Sequence, residues 1–466
     1  MVTGPWSGQD LPFAPLNQCF PSTEESDAVT SFDIVQLDAA FHLQALGRRW
    51  LLQEPLGIPD WGLRQKRLIS TFLFQRRNSL RSEQCARALE GRLCQLLGAQ
   101  FCIATGSGRE AIKLALLGFG LQPGDRVVMP SFCCLSVLVP VLELGLTPVF
   151  ADAGDDWQID PESVQRVMRP GDRVLIVPHL FGRLADIERL TQVARSCGAR
   201  IVDDAAQAIG SKGSWGWAGR GGDAGIFSFG LGKPLPSIGG GALITDDRGL
   251  FEEIRSFMSE VTFESNSRKT VMKTYIKAEW RQATYVLYLN LRRRQQKNVG
   301  AEEFSVLPSS NVRRIADLDA LLAESQLGQI EGRRKALQEK AGEFADALDH
   351  LPFLKKSAFG YVGSPRWVVE LIPMYAGGDF YRGLFAYMLG RGIEVQPTYR
   401  PLHQFVRESG HEPQGEFAHS ETLAKRLLCL PFSAQTDIHY VARCLRDYAS
   451  AVSIEVTPHI AEMAEK

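Results

Sequence analysis

The sequence predicts an α/β protein in which a mostly parallel β-sheet is covered by helices, followed by a smaller α+β domain. The main observation is that short apolar runs alternate with helical stretches between residues 101 and 203. A second is the stretch 199–210, where a buried-type strand ends in two carboxylates. A third is the length of 466 residues, which is enough for two or more domains with a sizeable core.

The composition excludes several classes of function. The formal net charge is −1, so no nucleic acid or other polyanion is expected as a general partner. The nine cysteines form no CxxC pair and are odd in number, which predicts reduced thiols in a cytoplasmic protein without disulfides or a zinc site. The first residues lack the features of a signal peptide, and no apolar stretch approaches a transmembrane segment in length.

Three regions are predicted along the chain. Residues 1–81 form an N-terminal extension with a helix expected at Phe32–Leu52, which could cap the active site, extend a dimer interface or simply pack on the surface. Residues 82–334 form the large domain, with an insertion at about 255–312. Residues 335–466 form the small domain.

Apolar periodicity and turn residues place the individual elements. Strands of the large domain are expected at Phe101–Thr105, Arg126–Met129, Thr147–Asp152, Arg173–Pro178, Arg200–Asp203, Gly225–Phe229 and Gly241–Thr245. Helices are expected at Ser82–Leu97 and from Gly108, Ser136, Pro161 and Asp186. The small domain should contain a helix from Lys335, a strand at Trp367–Leu371, a helix from Asp379 and a strand near Ile393–Val395. Ligands of such sheets bind at the carboxyl ends of the strands.

One lysine lies between the last two strand runs of the large domain. Lys233 is surrounded by glycines and prolines, and no other charged residue lies between Asp223 and Asp246. An amine between two apolar strands should be partly desolvated, which disfavours the ammonium form and suits a Schiff base. A solvated loop lysine is the alternative.

Two further features precede this lysine in the chain. The stretch Phe101–Ile112 is a strand, a glycine turn and a helix start, which together can cradle a phosphate group. Asp203 and Asp204 end a buried strand. A phosphate cradle, a carboxylate and a Schiff-base lysine, in that order, are what pyridoxal 5′-phosphate (PLP) requires.

From Ser82 to about Ser450 the chain resembles the DegT/DnrJ/StrS aminotransferases, the sugar aminotransferases of the fold-type I PLP-dependent enzymes. The resemblance rests on Asp204-Ala-Ala-Gln207, on Phe227-Ser-Phe229 with Lys233, and on Gly239-Gly-Gly241. Weaker matches are Arg314-Ile-Ala-Asp-Leu318, Tyr399, Pro401-Leu-His403 and Leu430-Pro-Phe432. The resemblance implies the PLP-dependent transferase fold type I and a homodimer.

The resemblance also implies roles for three residues. Lys233 would bind PLP and move the proton during transamination, whereas dehydratases of the family carry histidine at this position. Asp204 would keep the pyridine nitrogen protonated, with Asp203 as the alternative. Gln207 would contact the phenolic oxygen or the ring face of the cofactor.

The phosphate site is expected at a helix N-terminus. Gly108 and Arg109 begin a helix, so their backbone N–H groups and the helix dipole would favour an anion. Family members usually have threonine where Arg109 stands, and arginine could also pair with phosphate directly. Ser228 would add a hydroxyl, and Ser107 is a weaker candidate.

Two positions near the expected site are less typical of the family. The ring that stacks on the cofactor is replaced by Cys134, in the run Pro130-Ser-Phe-Cys-Cys134, and a sulfur can still pack on the ring face. His179 matches a family histidine near the cofactor, although a histidine at a strand end is as often structural.

The insertion departs from the family. Its stretch Tyr275–Lys297 is predicted to be a helix and ends in three consecutive arginines. The expected apolar face consists of Ile276, Trp280, Ala283, Leu287 and Leu291. The arginines Arg292, Arg293 and Arg294 are interpreted as a site for a phosphate-bearing acceptor, with packing on the dimer or contact with a membrane surface as alternatives.

These features predict a PLP-dependent aminotransferase that works by a ping-pong reaction. The donor would be an amino acid such as glutamate, and the acceptor a keto compound such as a nucleotide-linked keto sugar, which the resemblance alone implies. One alternative is a PLP-dependent lyase or condensing enzyme, or a non-sugar aminotransferase, in a natural-product pathway. Another is a PLP-sensing regulator, although the extension lacks basic helix-turn-helix character.

Overall fold

The computed structural model describes residues 53, 54, 56, 59–74, 82–262, 265–279, 311–349, 351–355, 366–376 and 378–452. The predicted helix at Phe32–Leu52 lies outside the described residues, as do residues 280–310 of the insertion with the three arginines.

The large domain is built on a seven-stranded sheet. Its strands are β1 (Phe101–Thr105), β2 (Arg126–Pro130), β3 (Thr147–Ala151), β4 (Val174–Pro178), β5 (Arg200–Asp204), β8 (Ala224–Ser228) and β9 (Gly241–Thr245). The order across the sheet is β1-β9-β8-β5-β4-β2-β3, and β9 runs antiparallel to both of its neighbours. The other adjacent pairs are parallel, so the predicted mostly parallel sheet is confirmed. The two-residue strands β6 (Lys212–Gly213) and β7 (Gly216–Trp217) form a separate hairpin.

Helices flank this sheet, and the five with predicted starts, at Ser82, Gly108, Ser136, Pro161 and Asp186, begin within one residue of those positions. In the large domain they are α1 (Leu63–Phe74), α2 (Ser82–Leu97), α3 (Gly108–Gly118), α4 (Leu135–Glu143), α5 (Pro161–Val167), α6 (Ile187–Ser196), α7 (Arg248–Ser259), α8 (Arg268–Glu279) and α9 (Asp317–Leu327). Asp186 caps α6 by accepting a hydrogen bond from Arg189 N at 3.1 Å. None of the helices in the described ranges is long and apolar enough to cross a membrane.

The small domain contains a three-stranded antiparallel sheet. It consists of β10 (Arg366–Glu370), β12 (Leu427–Pro431) and β11 (Gln396–Pro397), in that order across the sheet. Its helices are α10 (Ile330–Leu348), α11 (Gly378–Gly390), α12 (Leu402–Glu408), α13 (Ala418–Arg426) and α14 (Ile438–Ala451). Helix α10 begins at Ile330, before the predicted start at Lys335, and so runs across the expected boundary between residues 334 and 335.

The strand expected near Ile393–Val395 is displaced in the structure to Gln396–Pro397. The reason is that residues 392–394 pair with the N-terminal extension instead of with β12. Glu54 N donates to Gly392 O at 3.0 Å, and Glu394 N donates to Glu54 O at 2.9 Å. The extension therefore takes part in the main-chain hydrogen bonding of the small domain.

The described part of the insertion contains one residue of the predicted apolar face, Ile276. In α8 the buried side chains are Val271 and Ala278, and Tyr275 stacks on Trp61 with ring centroids 6.1 Å apart. Ile276 is 42% exposed, so the expectation that it lies on a buried apolar face is wrong. The other four residues of the predicted face lie outside the described residues. The buried face follows the position of its packing partners, which are α1 and α9.

Helix α1 of the extension was not predicted, and it packs next to the loop that carries Lys233. Trp61, just before α1, donates through Nε1 to Pro236 O at 2.9 Å, and Gln326 Nε2 of α9 donates to the same oxygen at 2.9 Å. Gln65 Nε2 donates to Ser325 Oγ at 2.8 Å. The extension thus supports the lysine loop from outside the sheet.

A carboxyl group is partly buried between α2 and the first strand. Glu90 accepts a hydrogen bond from Ala104 N at 2.8 Å. Burial raises the pKa of Glu90 from 4.5 to about 7, and the hydrogen bond from Ala104 acts in the opposite direction. The ionised form of this residue is therefore destabilising in the folded protein.

Replacing Glu90 by glutamine should stabilise the cofactor-free protein at neutral pH. Because the folded-state pKa is raised, the contribution of Glu90 to stability is fully present below about 4.5 and is lost as the pH rises to about 7. Over that interval the free energy of unfolding of the wild type should fall by about 3 kcal/mol relative to Glu90→Gln. Urea unfolding at several pH values measures this difference.

The matched control is Glu83→Gln on the same helix, because Glu83 is exposed. Its difference from the wild type should stay within about 0.5 kcal/mol at every pH. A constant difference between Glu90→Gln and the wild type across the pH range would contradict the raised pKa.

Candidate active site

The structure places every predicted site residue at or just after the carboxyl end of a strand. From β1 the chain leads to Gly108 and Arg109, from β2 to Cys134, from β4 to His179, from β5 to Asp204 and Gln207, and from β8 to Ser228 and Lys233. Because these strands run in the same direction, their carboxyl ends meet at one edge of the sheet.

The start of α3 is a narrow cradle that admits only glycine. A Cβ on Gly108 would lie 2.8 Å from Ser228 Cβ and 3.2 Å from Phe227 O. Ser107 caps the helix by accepting a hydrogen bond from Glu110 N at 3.2 Å. The Ser228 hydroxyl and the free N–H groups of the first turn therefore lie side by side, which is an arrangement for binding an anion.

Arg109 supports this interpretation of the cradle. Its Nε atom is buried and has no hydrogen-bond partner among the described residues. A buried donor without a partner is unfavourable in the protein alone, and an anion bound at the helix start could satisfy it.

The two aspartates at the end of β5 have different surroundings. Asp203 Oδ2 accepts hydrogen bonds from Gly219 N at 3.0 Å and Gly221 N at 2.7 Å, so Asp203 holds a neighbouring loop. Asp204 accepts through Oδ1 from Ala206 N at 2.9 Å and is 5% exposed. This difference favours Asp204 as the carboxylate that faces a ligand.

The charges near Asp204 fit a cationic partner. Burial raises the pKa of Asp204, whereas the hydrogen bond from Ala206 and the charges of Lys233 and His179 lower it. A protonated ring nitrogen in contact with Asp204 would act in the same direction as Lys233 and favour the ionised carboxylate.

His179 is fully buried, and both of its ring nitrogens face other parts of the protein. Nδ1 accepts a hydrogen bond from Ala185 N at 3.0 Å. Nε2 lies 2.9 Å from Asp203 Oδ1, although the N–H direction is poor for a hydrogen bond. The predicted contact of His179 with a cofactor would therefore involve the ring face, and it remains a prediction.

Lys233 is half-buried in the loop between β8 and β9, as expected from the apolar strands on either side. Asp319 of α9 anchors this loop, since its Oδ1 accepts from Ser237 Oγ at 2.9 Å and from Gly239 N at 2.9 Å. The other oxygen accepts from Asn266 Nδ2 at 3.0 Å. Lys233 itself forms no side-chain hydrogen bond or ion pair with any residue that the structure describes.

Gln207 is held by two donors at the edge of the site. Its Oε1 accepts from Tyr399 Oη at 3.1 Å and from Phe181 N at 3.3 Å. The Tyr399 ring stacks on Phe181 with centroids 5.4 Å apart. Burial raises the pKa of Tyr399. Cys134, at the expected stacking position, lies just before α4. The Tyr399 ring of the small domain also contacts Phe132, two residues before Cys134, with ring centroids 5.8 Å apart.

These groups fit PLP. The cradle at Gly108 with the unpartnered Arg109 Nε suits a phosphate group, Asp204 suits a protonated ring nitrogen, and the amine of Lys233 suits an aldehyde.

Three residues that shape the site escaped the sequence analysis. Asp319 and Trp61 act through hydrogen bonds to a loop that is distant in sequence, so no local pattern signals them. Arg366 lies against the lysine loop, because a Cβ on Gly232 would be 3.7 Å from its Nη2 atom. In sequence it begins the apolar run of β10, where a charged residue would ordinarily be assigned to a solvated strand end.

The fold and the site define the class of the protein. An α/β large domain with a mostly parallel sheet and a small domain that packs beside it are the architecture of the fold-type I PLP-dependent aminotransferases. A model of the DegT/DnrJ/EryC1/StrS aminotransferase family matches residues 73–446, so the chain belongs to this family and is an aminotransferase.

Relatives in sequence and structure agree with this assignment. The chain is 28% identical to dTDP-3-amino-3,4,6-trideoxy-alpha-D-glucose transaminase from Streptomyces venezuelae over 361 residues. This matched region covers 75% of this chain and 83% of that protein. A DegT/DnrJ/EryC1/StrS aminotransferase from Brucella abortus superposes with a TM-score of 0.62 at 23% identity, over 83% of this chain and 95% of that one. A putative sugar aminotransferase from Streptococcus pneumoniae, in its PLP form, superposes with a TM-score of 0.68 at 16% identity. The superposition covers 85% of this chain and 99% of that one. The two structures show likeness of fold.

Replacing Gly108 by alanine should damage the cradle. The added Cβ would crowd Ser228, so we expect a loss of about 1–3 kcal/mol in the free energy of unfolding and weaker binding of PLP to the apoprotein. Urea unfolding and fluorescence titration with PLP measure the two effects.

Gly91→Ala in α2 is the matched control, because a Cβ there would meet no atom within 4 Å. This variant should be more stable than the wild type by roughly 0.5–1 kcal/mol and bind PLP normally. Equal behaviour of the two variants would contradict the role assigned to the cradle.

Proposed function

We propose that the chain is a PLP-dependent aminotransferase that moves an amino group from an amino acid, with glutamate as the expected donor, to a keto acceptor. The observation that carries the proposal is the convergence of Lys233, Asp204 and the Gly108 cradle at one edge of the sheet. When bound, PLP would supply an electron sink for the negative charge that develops at the α-carbon of the donor.

The side chains of the protein would bind, orient and move protons. The N–H groups at the start of α3, Ser228 and Arg109 would hold the phosphate group. Asp204 would keep the ring nitrogen protonated, and Gln207 would limit movement of the ring. The amine of Lys233, once the donor has displaced it, would take the proton from the α-carbon of the donor.

The acceptor that we propose is a nucleotide-linked keto sugar. Support comes from the relative in Streptomyces venezuelae, whose name describes the transaminase of a dTDP-linked amino sugar. We also propose a cytoplasmic homodimer. Support for a dimer includes the exposed apolar side chains Leu63 and Phe74 at the two ends of α1, of which 76% and 82% are exposed.

The purified protein should carry PLP on Lys233. Borohydride reduction of the holoenzyme followed by peptide mapping should locate the pyridoxyl group on this residue, because no other amine is expected to face the cradle. Lys233→Ala should still bind PLP but convert no donor. A pyridoxyl group on a different lysine would overturn the assignment.

Asp204→Asn should leave the protein folded but slow the donor half-reaction by at least about 100-fold, since the ring nitrogen would lose its proton. Asp203→Asn should slow the half-reaction less and instead lower stability, because the new amide disturbs the contact with His179. Single-turnover kinetics and urea unfolding distinguish the two effects. The reverse pattern would show that Asp203 faces the cofactor.

A further inference from the structure

A buried histidine connects the two domains beside the candidate active site. His403, in the first turn of α12, is fully buried, and so is Ser131, which follows β2. His403 Nδ1 lies 2.6 Å from Ser131 Oγ, and Nε2 lies 3.2 Å from Glu421 Oε1 of α13. The ring of Phe417 stacks on the imidazole with ring centroids 4.3 Å apart. The imidazole therefore bridges one strand end of the large domain and two helices of the small domain.

The protonation state of the ring decides which atoms donate. Burial lowers the pKa of His403, although the hydrogen bond and charge of Glu421 act in the opposite direction, so the ring is neutral at neutral pH. A carboxylate only accepts hydrogen bonds, so the single ring proton lies on Nε2 and is donated to Glu421. Nδ1 then accepts a hydrogen bond from the Ser131 hydroxyl. Both ring nitrogens are used, and each hydrogen bond has a fixed direction.

A serine, a histidine and a carboxylate hydrogen-bonded in this order also occur in hydrolases, but this serine is not placed to act as a nucleophile. Its side chain and that of His403 are fully buried, so a substrate does not reach the hydroxyl. The main chain of Ser131 is also engaged, since its N donates to Ala151 O at 2.8 Å and its O accepts from Leu402 N at 2.7 Å. The three side chains therefore fix the relative position of the elements that carry them.

These elements also carry residues of the candidate site. Phe132 follows Ser131, and its ring meets the Tyr399 ring edge to face with centroids 5.8 Å apart. Tyr399 lies four residues before His403, and its hydroxyl donates to Gln207 Oε1 at 3.1 Å. Two neighbouring residues of the large domain thus hold this short segment of the small domain at both of its ends. A displacement of His403 would therefore move the Tyr399 hydroxyl relative to Gln207.

A second contact between the domains is separate from this segment. Asp152, which follows β3, accepts hydrogen bonds from Ser420 N at 2.7 Å and from His419 N at 3.0 Å. This contact holds the start of α13 against the large domain. Its loss would loosen the domain interface without removing either hydrogen bond of His403, so Asp152 provides a control for effects of the interface in general.

We propose that His403 is a positioning residue that holds the Tyr399 hydroxyl on Gln207, the side chain that borders the PLP ring. This inference rests on the proposed function for the role of Gln207. Hydrogen bonds in two directions from one imidazole orient the segment that begins at Tyr399, which an apolar side chain of similar size could not do. With Tyr399 displaced, Gln207 Oε1 would keep only the hydrogen bond from Phe181 N at 3.3 Å among the described residues, and Gln207 would restrict the ring less.

The first test is a double-mutant cycle on the binding of PLP to the apoprotein, measured by fluorescence titration. His403→Gln can still reach Glu421 but loses the contact with Ser131, and Tyr399→Phe loses the hydroxyl. Each variant should raise the dissociation constant of PLP by about 2- to 10-fold, as expected for one hydrogen bond. The double variant should bind no more weakly than the weaker single variant, because His403 acts through the Tyr399 hydroxyl. Multiplicative effects in the double variant would overturn the proposal.

Two further variants separate positioning from damage to the small domain. Ser131→Ala removes the hydroxyl from the large-domain side and should weaken PLP binding as much as His403→Gln does. His403→Asn, whose amide can replace Nδ1 toward Ser131, should recover part of the affinity. Normal binding in Ser131→Ala, or binding in His403→Asn as weak as in His403→Gln, would contradict the positioning role.

Asp152→Asn is the matched control at the domain interface. It should lower the free energy of unfolding in urea, because the new amide faces two backbone N–H groups, and leave the dissociation constant of PLP within about twofold of the wild type. If it weakens PLP binding as much as His403→Gln does, any loosening of the interface suffices and His403 has no specific role.

The last test reads the position of Tyr399 without the cofactor, by ¹⁹F NMR of the full chain labelled with 3-fluorotyrosine. The resonance that Tyr399→Phe removes belongs to Tyr399, and it should shift in His403→Gln and stay in place in Asp152→Asn. If it shifts in this way but the wild type binds no PLP, the positioning of Tyr399 stands and the proposed function fails. If the wild type binds PLP and the resonance does not move in His403→Gln, the proposed function stands and the positioning by His403 fails.

Discussion

The placement of Lys233 depends on the buried carboxylate of Asp319. The loop between β8 and β9 is rich in glycine and proline and forms no helix or strand. Its conformation must therefore be fixed by hydrogen bonds from other elements. Asp319 does so through hydrogen bonds from Ser237, Gly239 and Asn266. Burial raises the pKa of Asp319 while these bonds lower it, which means that the loop also stabilises the charge that holds it. Trp61 and Gln326 add two hydrogen bonds to Pro236 O on the same loop.

Most of the large-domain sheet could be predicted from sequence because its strands are buried on both faces. Continuous apolar runs such as Arg173–Pro178 and the capping aspartate at residue 186 are local signals, and the structure follows them within one or two residues. The errors occur where distant contacts decide. The strand predicted near Ile393–Val395 is found at Gln396–Pro397, because Glu54 pairs with residues 392–394. The buried side chains of α8 are those that contact α1 and α9.

Some residues of the candidate site could be predicted from the sequence, and others could not. Short sequence motifs contain Lys233, Asp204 and the glycine cradle, and the residue types in these motifs indicate their chemistry. The sequence alone could not decide between Asp203 and Asp204 as the residue that faces a ligand. The structure favours Asp204, because Asp203 accepts hydrogen bonds from the backbone N–H groups of Gly219 and Gly221. Arg366 could not be predicted, since only the packing of the small domain brings it to Gly232. At the glycine cradle, the buried Arg109 Nε has no partner among the described residues, so a bound anion would complete its hydrogen bonding.

Isotope transfer in a single turnover tests the aminotransferase function most directly. The PLP-loaded enzyme would be mixed with ¹⁵N-labelled L-glutamate in the absence of acceptor, and the released cofactor and acids would be analysed by mass spectrometry. A transaminase yields one ¹⁵N-labelled aminated cofactor and one 2-oxoglutarate per active site. Loss of CO2 from glutamate, with the ¹⁵N label retained in the product amine and an unlabelled cofactor, would instead indicate a lyase. The absence of any transfer from glutamate or other amino acids would contradict transamination by this protein.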